Sequence, residues 1–158
     1  TQTFRPRVAT VLNLAPDHLD RHGSYARYVD AKARIFANQT EADCAVLNAD
    51  DPDTVGLAGR TRARVLWFSR QRPLDHGVFV RDGWVVAKLN GHAEPVAPVS
   101  EITLRGAHNV ENSLAALAAF AVRPTKGARS WSQRSWPKTR QRMSRASCAR
   151  RCQNNSIH

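Results

Sequence analysis

Asp17 and His18 stand directly after an apolar run and begin the reactive part of a polar loop, Ala15-Pro-Asp-His-Leu-Asp-Arg-His-Gly23. Imidazole is a common metal ligand and proton carrier; the plain alternative is a turn held by a local hydrogen bond. Lys32 falls in the stripe Tyr25, Tyr28, Val29, Lys32, Ile35, Phe36, at i+4 from Tyr28 and i+3 from Val29. That spacing puts its charge on an apolar helix face and draws it toward the interior. It either snorkels its ammonium to water or is buried so that the neutral amine is favoured and able to react. A neutral amine takes up carbon dioxide as a carbamate, whose two oxygens are of the hard type that Mg²⁺ prefers. His108, Asn109 and Asn112 open a further helical pattern. Asn109 serves as a simple N-cap with Asn112 in the first turn, or the two amides, offering donors and acceptors at a helix start, suit a nucleotide base or ribose. Cys148, Cys152 and His158 lack a fourth ligand and are discounted as a metal site, while Cys44, in the middle of an apolar run, reads as a small core hydrophobe.

These residues need a scaffold, and the chain supplies one over residues 1–120. Residues 8–14 and 44–48 are near-continuous apolar runs of the kind a strand buried on both faces requires. Between them, Ser24 is the expected N-cap of a helix over residues 25–37. Strand, loop, helix and strand make a βαβ unit, hence an α/β fold. This places Asp17 and His18 past the carboxyl end of a strand, where open α/β sheets bind ligands. A third strand is expected over residues 64–69. Asp82-Gly83 between two apolar runs predicts a hairpin, and residues 95–104 add another extended stretch, so residues 77–104 form a small antiparallel sheet attached to the core. The final helix buries Val110, Leu114, Leu117, Ala118 and Ala121.

Charge divides the chain in the same place. The whole carries 24 basic and 13 acidic residues, a formal +11. Residues 1–120 hold 14 of the basic residues and every acidic one, whereas residues 121–158 hold ten basic residues and no acid. The tail has too few aliphatic residues to offset the entropy of ordering, so disorder is expected. Its abrupt change of composition suggests a frameshifted or misassembled end. A basic arm that binds nucleic acid is the competing function class; deleting the tail would then abolish a steeply salt-dependent binding. No apolar run approaches the ~20 residues of a membrane span, and with three cysteines a reducing, cytoplasmic compartment is the default.

Taken together, Asn13-Leu-Ala-Pro-Asp-His-Leu-Asp-Arg-His-Gly-Ser24, Tyr28-Val-Asp-Ala-Lys-Ala-Arg-Ile-Phe36, Ala45-Val-Leu-Asn-Ala-Asp-Asp-Pro52 and Gly106-Ala-His-Asn-Val-Glu-Asn-Ser-Leu-Ala-Ala-Leu117 resemble the central domain of the Mur ligases. The Asp17 to His22 run resembles the D-glutamate-adding members; tripeptide-synthetase and folylpolyglutamate types are the alternatives. The resemblance implies a partial central ATPase domain: a mostly parallel sheet with flanking helices plus a small antiparallel sheet. It implies ATP and Mg²⁺, with UDP-N-acetylmuramoyl-L-alanine and D-glutamate as substrates, in a monomeric cytoplasmic enzyme of peptidoglycan synthesis. ATP phosphorylates a carboxylate, and the incoming amine displaces phosphate. By motif, His18 matches the histidine on the second Mg²⁺, Lys32 the lysine carried as a carbamate, and Asn109 and Asn112, with His108, the segment near adenine and ribose. The sequence departs from the family too. No Gly-x-x-Gly-Lys-Thr phosphate loop occurs, and the metal-sharing glutamate is expected before Thr1. The Arg, Asp and Lys expected after the last helix give way to the tail, and the UDP-binding and C-terminal domains that the resemblance implies are expected outside these 158 residues. The isolated chain is therefore expected neither to bind ATP tightly nor to ligate.

Overall fold

A computed structural model describes residues 3–15, 24–103 and 106–122. The chain divides into two units, Thr1–Pro124 and Thr125–His158. All described residues belong to the first. Asp17, His18 and the basic segment from residue 123 onward lie outside the described residues.

One six-stranded sheet organises this unit, with strands adjacent in chain order. β1 (Val8–Val11), β2 (Cys44–Asn48) and β3 (Arg64–Ser69) run parallel, with Val8 opposite Cys44 and Cys44 opposite Arg64. β4 (Gly77–Arg81) joins β3 in parallel only over Trp67 to Ser69. β5 (Trp84–Leu89) and β6 (His92–Pro98) then continue the same sheet antiparallel. The antiparallel strands expected from the sequence are thus continuous with the parallel ones.

β2 explains why its sequence is apolar throughout. Ala45 and Leu47 point to one face and Cys44 and Val46 to the other, and all four are buried. The first face is covered by α1 (Tyr25–Ala33), which tightens into a 3₁₀ turn (Arg34–Phe36), and by α2 (Pro52–Gly56) with its own 3₁₀ turn (Leu57–Arg60). α3 (Ala107–Ala121) covers the second with Leu114, Ala115 and Ala118 against Val46, Leu66, Phe68 and Val78. Phe36, Phe68 and Phe79 are essentially inaccessible, and burying such a ring contributes about 1.5–3 kcal/mol each. Cys44 is a core residue as expected, and burial pushes its thiol pKa up.

The helix starts follow local chemistry. Ser24 is extended and its hydroxyl accepts from the Arg27 amide at 3.4 Å. Asp51 caps α2 by accepting from the Asp53 amide at 3.0 Å, and Pro52, whose missing N–H costs nothing there, takes the first helical position. α3 corrects the sequence expectation. Its N-cap is Gly106, at φ +110°, and Asn109 lies inside the first turn, its amide donating to the Gly106 carbonyl at 3.1 Å. Glycine at the turn lets the chain enter the helix earlier than an asparagine cap would.

Turn chemistry also corrects the last strand. Asp82 and Gly83 have φ values of 52° and 75°, and Asn90 and Gly91 repeat the pattern at 52° and 81°. Both are pairs of left-handed residues of the kind that closes a two-residue hairpin. The second turn starts β6 at His92, and it ends at Pro98 before a 3₁₀ turn (Val99–Glu101), where residues 95–104 were expected to be extended. Pro95 is tolerated because β6 is an edge strand and a bulge shifts register opposite Val85 and Val86. At Gly77, φ is +145° and a Cβ would lie 2.2 Å from the Trp67 carbonyl oxygen, so the β3–β4 junction admits only glycine.

Candidate functional site

The carboxyl ends of β1, β2 and β3 are knitted together by side chains from the Asn48-Ala-Asp-Asp-Pro52 segment. Asn48 donates to the Leu12 carbonyl at 2.9 Å, which ties the exit of β1 to that of β2. The Asp51 carboxylate accepts from the Leu14 amide at 2.7 Å and from the Thr54 hydroxyl at 2.8 Å. Asp50 reaches the other way: it accepts from the Ser69 hydroxyl at 2.6 Å and from the amides of Arg70 and Gln71 at 2.7 and 3.1 Å. Two adjacent carboxylates therefore fix the chain leaving β1 and the chain leaving β3. In the sequence this segment enters as the end of one of the four stretches that carry the family resemblance, with no role assigned to Asp50 or Asp51. The signal it held was three polar residues among four, Asn48, Asp50 and Asp51, at the carboxyl end of a wholly buried strand.

Of the two places that the stripe left open to it, Lys32 takes the snorkelling one. Its side chain is exposed, with Nζ 5.5 Å from the centre of the Tyr28 ring. The stripe is real, since Tyr28 and Phe36 are buried, but the four-carbon stem carries the ammonium past its edge to water and onto an aromatic face. Tyr28 stacks on Tyr25, ring centres 6.0 Å apart. The Tyr25 hydroxyl donates to the Leu14 carbonyl at 3.2 Å and to Asp53. That bond to Asp53, then burial, then the charges of Asp53 and Asp51, push the phenol up to about 12. Lys32 is in this way linked through two rings to the chain at Leu14, past the end of β1.

The second group of candidates lies at the start of α3, on the opposite face of the sheet, so the structure does not bring Lys32 and the asparagines onto one face. His108 and Asn112 are exposed and one turn apart; Asn109 is half-buried, and its carbonyl accepts from the Ser113 hydroxyl at 2.8 Å. A Cβ on Gly106 would meet the His108 ring at 2.8 Å, so the imidazole lies back over the glycine. That contact gives the Gly-x-His spacing a steric reason. Glu111, overlooked in the sequence, is in phase with Leu114, Ala115 and Ala118 on the inward stripe. It meets Arg70, whose Nε donates to its carboxylate at 3.0 Å. Among the described residues, no group of three or more His, Cys, Asp or Glu side chains is arranged to hold a metal ion, and no helix is long and apolar enough to cross a membrane.

Residues 1–120 match the family described as the Mur ligase middle domain. The chain belongs to the Mur ligase family. Among curated Mur ligases, the UDP-N-acetylmuramoylalanine–D-glutamate ligase of Pelotomaculum thermopropionicum is 56% identical over 117 residues, which is 74% of this chain and 26% of that protein. The enzyme of the same name from Acidobacterium capsulatum is 52% identical over 121 residues, 75% of this chain and 26% of its own length. The chain thus spans about a quarter of the length of the Mur ligases it matches. A crystal structure of MurF from Acinetobacter baumannii agrees with a TM-score of 0.55 at 22% identity, over 75% of this chain and 27% of that one, a likeness of fold. The parallel sheet with helices on both faces is the Mur ligase middle-domain scaffold.

Proposed function

We propose that the chain is the middle-domain portion of an ATP-dependent amide ligase that joins D-glutamate to UDP-N-acetylmuramoyl-L-alanine in the cytoplasm during peptidoglycan synthesis. The observation that carries this is the 56% identity over 117 residues to a ligase so named, beside a middle-domain match over residues 1–120, which include Asp17, His18, Lys32, His108, Asn109 and Asn112. ATP supplies the phosphoryl group that activates the substrate carboxylate. The chain's own part is orientation. The side-chain amide of Asn112 and the ring of His108, both exposed at the start of α3, offer donors and acceptors to adenine and ribose. Asn109, in the turn between them, supports their placement.

Mg²⁺ is a separate matter, because it needs oxygen ligands. The described residues contain no ready cluster of such ligands, and a lysine ammonium has no lone pair to give. In its ammonium form Lys32 does not fit the ion. Reaction of the free amine with carbon dioxide forms an N–C bond and releases one proton; the resulting carbamate would supply the oxygens, with His18 as the companion ligand.

The test is a graft. Residues 1–120 replace the matching segment of the Pelotomaculum thermopropionicum ligase, and phosphate release is measured. Activity that requires ATP, UDP-N-acetylmuramoyl-L-alanine and D-glutamate together is expected, and Lys32→Ala should lower kcat on the order of 10²-fold, as loss of a group stabilising transition-state charge does. Because Lys32 is exposed, the same substitution should leave the unfolding midpoint of the 158-residue chain unchanged. A folded graft that turns over with another amino acid but not with D-glutamate would sink the assignment.

A further inference from the structure

Glu111 is an acid on the stripe of α3 that faces the sheet. Its helical neighbours at i+3, i+4 and i+7 are Leu114, Ala115 and Ala118, all fully buried. An unpaired carboxylate there would be costly, because partial burial strips water from a charge that needs a partner. Arg70 supplies it. The Arg70 side chain leaves the end of β3, and its Nε meets Glu111 at 3.0 Å with side-chain exposures of 36% and 20%. Arg70 is itself held from behind, since its amide and that of Gln71 donate to Asp50, which also takes the Ser69 hydroxyl.

We infer that the Arg70–Glu111 pair is the positioning strut of the nucleotide half of the site. It sets the rotation of α3 about its own axis. A helix advances about 100° per residue, so with Glu111 pinned inward His108 and Asn112 stand about 60° and 100° round to the same side of it, and both are exposed there. Of the apolar first-turn residues Ala107 and Val110, Val110 alone packs against the core, and it is half-buried, so packing holds the azimuth of that turn weakly. Asp50 makes the strut continuous with β2 and, through Asp51 next to it, with the exit of β1. Neither Arg70 nor Glu111 touches a reacting group in this arrangement; both act through Asn109, Asn112 and His108. The inference rests on the nucleotide role proposed for those three residues.

The experiment uses the ¹⁵N-labelled 158-residue chain titrated with MgATP at millimolar concentration, following the side-chain amides of Asn109 and Asn112, with hydrogen exchange of residues 107–112 measured in parallel. Arg70→Met and Glu111→Gln should each weaken MgATP binding about two- to fivefold, the range expected of a partly exposed ion pair. The double variant should be no weaker than either single one, since both remove the same contact. Arg70→Lys, which keeps the charge, should recover binding to within about twofold. A merely structural role would lower the unfolding midpoint without this pattern of non-additivity and rescue. Single variants that bind MgATP as the parent does, or losses that add in the double variant, would overturn the strut. If the parent shows no response of Asn109 or Asn112 to MgATP, the nucleotide assignment fails instead. The strut is then decided by exchange alone: equal, non-additive acceleration in the two variants upholds it, and unchanged exchange refutes it.

Discussion

The two edges of the parallel sheet are both closed by polar side chains, and they are closed for different ends. At the amino edge the bonds are buried and turned inward. The Gln39 side chain, only 2% exposed, donates to the carbonyls of Pro6 and Cys44 at 3.1 and 3.0 Å and accepts from the Thr61 hydroxyl at 3.3 Å. Asp43, equally buried, takes Arg5 Nε at 2.8 Å and the Thr40 amide at 2.7 Å. At the carboxyl edge, Asn48, Asp50, Asp51 and Tyr25 instead hold the places where the chain leaves strands and enters helices. One edge locks the sheet together; the other aims loops and helix starts. An α/β fold that binds ligands past the carboxyl ends of its strands requires that division.

The largest test of the contrast is Gln39→Leu. It removes two donors and one acceptor from a dry position and leaves the Pro6 and Cys44 carbonyls without their partner, a loss of about 2–4 kcal/mol. Urea unfolding of the 158-residue chain should register it as a lower midpoint. In the grafted ligase, assayed well below its transition, kcat and KM should stay within about twofold of the parent. A change in KM as large as that from Arg70→Met would mean that the amino edge also aims the site, and the division would fail.

A smaller effect comes from acid. The Arg5 guanidinium, followed by the Thr40 amide, holds the Asp43 carboxyl down at about 2, against an ordinary value of 3.8. A carboxyl whose folded value is depressed contributes stability that is present above its unfolded value and lost as pH falls through the folded one. The amino-edge lock should therefore weaken between about pH 4 and pH 2. Asp43→Asn should flatten the urea midpoint across that window, whereas Tyr25→Phe should leave its slope unchanged. An identical slope in Asp43→Asn and the parent would show that the lock does not depend on the charge of this carboxylate.

Much of this architecture was legible in the residues themselves. β2 was found to the residue because a strand buried on both faces is apolar almost throughout, β3 was found to the residue as well, and Ser24 was found because an isolated serine before an amphipathic stripe is the cheapest way to satisfy a helix start. β6 was misplaced because an alternating pattern does not fix where a strand begins; the Asn90-Gly91 turn does. The site was harder. Lys32 lies in the stripe, yet helical phase says nothing of which way a flexible four-carbon stem bends at its margin. Asp50 and Asp51 accept backbone amides just past other strands, across 20 or more residues of chain in the amide bonds of Asp50, Arg70 meets Glu111 across 41, and no local spacing encodes such meetings. Glu111 could have been read in advance: an acid in phase with Leu114 and Ala118 calls for a basic partner.

The finest test lies at the carboxyl edge, in the Tyr25 hydroxyl. Its bond to Asp53, aided by burial and by the charges of Asp53 and Asp51, raises the phenol to about 12 from an ordinary 10.0. For a group whose folded value is raised, the contribution to stability is complete below the unfolded value and disappears as pH climbs through the folded one. The parent should therefore lose stability between about pH 10 and pH 12, and Tyr25→Phe should lose that part of the alkaline dependence. At neutral pH the substitution keeps the stack on Tyr28 and removes only the bonds to Asp53 and the Leu14 carbonyl. Its fall in urea midpoint should be less than half that of Gln39→Leu, because the Asp51 bond to the Leu14 amide still ties the exit of β1. Turnover of the graft should drop more, relative to stability, than for any amino-edge variant. If Tyr25→Phe instead lowers the midpoint as far as Gln39→Leu and leaves kcat untouched, the phenol is one more lock, and the boundary between the two edges must be drawn past α1.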